Sequence, residues 1–108
     1  MADGSWRDGG TSALRGNGFT VTALFAALHA VEQAREHAGA PEDAFRSGIT
    51  AAVAIGEDTD TVAAIAGALL GAKVGANVIP GAWRQVVHGW PGMDAEDLTR
   101  MAGQILRA

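Results

Sequence analysis

Apolar and polar residues follow one another along most of this chain at helical spacing. From Thr20, Leu24, Ala27, Leu28 and Val31 fall at i, i+3, i+4 and i+7, which predicts a single apolar stripe. Glu32, Arg35 and Glu36 take the wet side, and Gly39 supplies a stop. Pro41 sits where a first-turn proline is tolerated, and Glu42 and Asp43 behind it complement the helix dipole. The helix they open carries Phe45, Ile49 and Val53 and ends near Gly56.

A third helix runs to about Gly75, with Val62, Ile65, Leu69 and Val74 toward one side and alanine or glycine over most of the rest. A helix that is apolar nearly all round requires burial on several sides, so it reads as the central helix. Pro80 opens a short helix with Trp83, Val86 and Val87, and "HGWPG" is a turn. Asp94 begins a last helix as N-cap, with Asp97 in capping-box position and Leu98, Met101 and Ile105 as core stripe. No stretch shows strand-like alternation. The pattern predicts an all-α domain of about five helices over 19–108, after an irregular Gly-rich arm over 1–18.

Composition narrows the picture. At 108 residues, 48% hydrophobic and 19% charged, the chain is long enough for one domain with a core. Its net charge of -4 and lack of a basic cluster argue against binding a nucleic-acid backbone. No cysteine is available for disulfide or thiolate chemistry, and no apolar run approaches a membrane span. A soluble, cytoplasmic protein is the default expectation.

The chemistry gathers at "GEDTDT", where the third helix begins. Asp58 and Asp60 are two apart, so within a regular helix they would point to different sides. In a non-helical lead-in, both carboxylates and the Thr61 hydroxyl can converge. Oxygen ligands without His or Cys suit Mg²⁺, Mn²⁺ or Ca²⁺. The alternative is plain N-capping, for which Asp and Thr are common. Spacing leaves both open.

The stretch "GEDTDTVAAIAGALLGAKVGANVIPGAW" closely resembles the C-terminal signature of the ADP-ribosylglycohydrolase family, which includes the dinitrogenase reductase-activating glycohydrolases. Upstream, "NGFTVTALFAALHAV" resembles the family's Ser-Gly-Tyr-Val-Val-Asp-Thr-Leu stretch. Together they cover roughly residues 16–90. The resemblance implies a compact all-α fold around a binuclear Mg²⁺ or Mn²⁺ centre. That centre hydrolyses the bond joining ADP-ribose to a protein side chain or small acceptor. By motif match, Asp58, Asp60 and Thr61 would be the metal ligands. Gly18 and Phe19 fall where the family's Gly-Tyr pair lines the ADP-ribose pocket, and Asn17 stands where the family has Ser. For Asn17, a local turn contact is the equal alternative.

Two departures qualify this. The family's Thr-Asp-Asp motif has no counterpart, so the chain reads as the C-terminal part of the pattern. Glu57 occupies a place usually held by Gly or Asn, as a solvated loop carboxylate or as a substitute ligand or catalytic base. Two functions follow: a glycohydrolase, alone or completed by a second chain, or a non-catalytic module binding ADP-ribose or a cation. The small-residue helix and the missing motif predict a homo-oligomer, most simply a dimer.

Overall fold

The computed structural model describes residues 19–36 and 39–107, which divide into two units between Val78 and Ile79. Five α-helices lie among the described residues, and the fold class is all-α as expected. No described helix is long and apolar enough to cross a membrane.

The first unit holds α1 (Thr20–Glu36), α2 (Pro41–Ala54), α3 (Thr59–Val74) and a 3₁₀ turn at Ala76–Val78. The three helices pack against one another pairwise. Their core is made of methyl groups: Ala23, Ala26, Ala27 and Ala30 of α1 meet Ala52 of α2 and Val62 and Ala66 of α3. The buried stripe of α1 is thus its alanines, whereas Leu24 is exposed and Leu28 and Val31 are half-buried. The physical reason is space. Where each helix touches both others, only a methyl fits between the backbones, and longer side chains fill the flanks.

The same logic moves the inward faces of the other two helices. Phe45, Gly48 and Ala52 are buried on α2, while Ile49 is half-buried and Val53 exposed. On α3 the buried set is Val62, Ala66 and Leu70, not Ile65, Leu69 and Val74. Leu70 enters the gap left by Gly48: a Cβ there would overlap Leu70 Cδ1 and lie 3.2 Å from Ala34 Cβ. The prediction that α3 is covered on several sides does not hold among the described residues. Ala64, Ala68, Leu69 and Ala72 stay exposed, because three helices enclose only one stripe of each.

The second unit comprises α4 (Gly81–Val86), a minimal antiparallel hairpin of β1 (His88–Gly89) and β2 (Met93–Asp94), and α5 (Ala95–Arg107). Pro80 is buried and opens α4 as expected, its carbonyl accepting from the N–H groups of Trp83 and Arg84. The hairpin was not legible because two-residue strands are too short to show a period. It closes through Gly92 N–H donating to Gly89 O at 2.7 Å, and His88 Nδ1 lies 2.8 Å from Val86 O. Trp90 at its tip is 93% exposed.

The α5 capping box forms as predicted. Asp97 N–H donates to Asp94 Oδ1 and Asp94 N–H to Asp97 Oδ2, both at 3.0 Å. Asp94→Ala is expected to destabilise α5 by about 1 kcal/mol, read as lost helicity in circular dichroism. The Asp94 N–H and then Arg100 hold the Asp97 carboxyl below its ordinary 3.8. A depressed folded pKa gives stability that is fully present above 3.8 and lost as pH falls below it. Asp97→Asn should therefore flatten the acid limb of thermal melts recorded below that pH. The predicted core stripe of α5 is a correction: Leu98, Met101 and Ile105 are all exposed.

Candidate functional site

The chain between α2 and α3 is shaped by two successive residues of positive φ. Gly56 has φ 87° and Glu57 has φ 63°, the left-handed region that a residue with a Cβ seldom occupies. This turn ends α2 and re-aims the chain, so that Asp58 enters α3 as N-cap with a non-helical φ of -84° and ψ of 67°. The position of Glu57 explains why Gly or Asn is common there in the pattern this segment resembles: both tolerate left-handed backbone. Glu57→Gly is expected to stabilise the chain by about 1 kcal/mol, seen as a higher urea midpoint with unchanged slope.

Only Asp58 stands in the lead-in; Asp60 and Thr61 lie in the first turn of α3. Thr61 N–H, the usual capping donor, bonds Asp60 Oδ1 at 3.0 Å, and Asp58 makes no side-chain capping bond. Hydrogen-bonding influence from the neighbouring Asp60 side chain, then from Thr61, holds the Asp58 carboxyl below its ordinary 3.8, with burial opposing it modestly.

The three residues singled out by the motif thus stand within four positions of one another at the mouth of α3. The donor set is oxygen only, which fits Mg²⁺ or Mn²⁺. It is also short: among the described residues, no group of three or more His, Cys, Asp or Glu is placed to hold a metal ion. Glu57 lies next in sequence and is exposed.

The ADP-ribose side of the expected site is partly visible. Phe19 precedes α1, is exposed, and its carbonyl accepts from Ala23 N–H at 2.8 Å and the Thr22 hydroxyl at 3.0 Å. Asn17 and Gly18 lie outside the described residues. His29 is a polar group that spacing did not flag: its Nε2 is buried without a hydrogen-bond partner among the described residues.

No curated protein and no solved structure is significantly similar to this chain. The sequence does match ADP-ribosylglycohydrolase over residues 3–108, beyond both ends of the motif-bearing stretch. With that match spanning nearly its whole length, the chain belongs to the ADP-ribosylglycohydrolase family.

Proposed function

We propose that the chain works as a metal-dependent hydrolase, removing ADP-ribose from a protein side chain or small acceptor in the cytoplasm. The observation that carries this reading is the placing of Asp58, Asp60 and Thr61 together at the mouth of α3, Asp58 as N-cap and the other two in the first turn, with Thr61 N–H donating to Asp60 Oδ1. Asp58, Asp60 and Thr61 would hold Mg²⁺ or Mn²⁺, and the left-handed Gly56–Glu57 turn presents them. The bound cations would supply positive charge to activate a water and to offset charge developing around the ribose. Glu57, beside the ligands, takes the role of base toward that water. Phe19 takes the place that the resemblance assigns to packing on the ribose. The remaining ligands come from a second copy or a complementing chain.

A second reading has its own support. With two carboxylates and no third metal-holding group among the described residues, the corner also suits a non-catalytic module that binds one cation or ADP-ribose. Calorimetric titration with Mn²⁺, Mg²⁺ and ADP-ribose, followed by an ADP-ribose release assay, separates the two. Cation-dependent heat together with release supports the hydrolase. Heat without release supports the module, and no heat at all overturns both.

A further inference from the structure

The three helices of the first unit shape a small apolar cavity at the carboxyl ends of α1 and α3. Its volume is about 300 Å³, at the lower end of the range that small-molecule sites occupy. The walls come from Val31 of α1, Pro41 and Ala44 of α2, and Leu70 and Val74 of α3. Leu70 is buried, and Val31, Ala44 and Val74 are half-buried. Every residue that lines the cavity lies between Val31 and Val74, so the first unit builds it by itself. Gly39 and Ala44 stand where longer side chains would fill the space, and apolar walls hold water poorly.

The lining also has a sign. Arg35, in the last turn of α1, and Lys73, in the last turn of α3, both belong to it, and none of the described residues lining it is acidic. Each cation complements the carboxyl end of its own helix, but that role does not require the two to share one cavity. Arg35 is already engaged by Glu32 at 3.3 Å, whereas Lys73 pairs with no acid among the described residues. The Asp43 carboxylate lies beside Gly39, so an anionic head belongs at Lys73 and not at the α1–α2 connection. No aromatic ring, side-chain amide or hydroxyl is in the lining, which disfavours a nucleobase or a sugar and favours an aliphatic body.

We propose that this cavity binds a small amphiphilic anion, an aliphatic carboxylate whose chain lies against Val31, Ala44, Leu70 and Val74 and whose head meets Lys73. The site is separate from the acidic corner. Asp60 and Lys73 stand at opposite ends of α3, about 20 Å apart along its axis. Either reading can fail while the other stands.

Titration of the isotope-labelled full chain with sodium octanoate, followed by amide chemical shifts, tests it. Saturable shifts should appear at Ala44, Leu70 and Val74, with a dissociation constant on the order of 1 mM or tighter, within reach of a ligand this small. Octylammonium, with the same chain and the opposite charge, should bind at least tenfold more weakly. Lys73→Gln should weaken octanoate at least threefold and, because the side chain is exposed, leave the fold intact. Ala44→Leu, which fills the cavity, should abolish binding. The absence of shifts at these residues overturns the proposal, and a segment of this chain or of a second copy already seated there would give that result. Equal affinity for octanoate and octylammonium, or octanoate binding indifferent to Lys73→Gln, overturns it as well.

Discussion

Replacing Gly48 with valine should lower stability by about 2–3 kcal/mol, the range for overpacking a closed core. The first added carbon would overlap Leu70 Cδ1 and press on Ala34 Cβ at 3.2 Å. Leu70 can give way only by leaving its buried place for the cavity it lines with Val31, Ala44 and Val74, and Ala34 Cβ cannot move without its helix. Nor can the helices separate without opening the row of alanine methyls that forms the core. A contrast comes from Gly71, where an added Cβ meets nothing within 4 Å and no unusual φ is required. Gly71→Ala should stabilise by about 0.5–1 kcal/mol, because alanine loses less backbone entropy in a helix. Urea unfolding of the two variants should move the midpoint in opposite directions. If Gly48→Val folded as well as the wild type, the account of helix packing around that glycine would be wrong.

Asp60→Ala is expected to weaken Mn²⁺ binding by at least tenfold and to abolish any ADP-ribose release. The substitution removes one of only two carboxylates at the corner and frees the Thr61 N–H from Asp60 Oδ1. That N–H then becomes available to Asp58, turning the cation corner into an ordinary N-cap. The fold should therefore survive while binding is lost. Glu57→Gln separates the neighbouring carboxylate from this effect. If Glu57 serves as base, the variant keeps cation affinity and loses turnover, and if it is a solvated loop residue, both persist. Asp60→Ala with unchanged Mn²⁺ affinity would remove the cation reading altogether.

Much of this arrangement was legible from residue order. The α5 capping box followed from Asp94 and Asp97 at the right offset, and Pro80 marked the start of α4. Of Asp58, Asp60 and Thr61, only Asp58 stands in the non-helical lead-in that the pattern allowed for all three, because α3 already begins at Thr59. The inward faces were harder, because hydrophobicity ranks leucine above alanine while close helix approach favours the smaller side chain. Hydrophobicity alone puts Leu24 and Leu69 inside for that reason, whereas Ala23 and Ala66 hold those places. Glu57 carried a signal that was available: a site where Gly or Asn is usual is often one of positive φ. The exposure of α5 had no counterpart in its pattern, since an amphipathic stripe does not say whether its cover is the same chain or another.

The central claim is that the acidic corner is cation-binding equipment presented by a left-handed turn. A crystal soaked in manganese, with anomalous data collected at its absorption edge, addresses it most directly. The account predicts an anomalous peak bonded to the Asp58 and Asp60 carboxylates and the Thr61 hydroxyl. Carboxylates turned apart into solvent, with no peak at the mouth of α3, would contradict it.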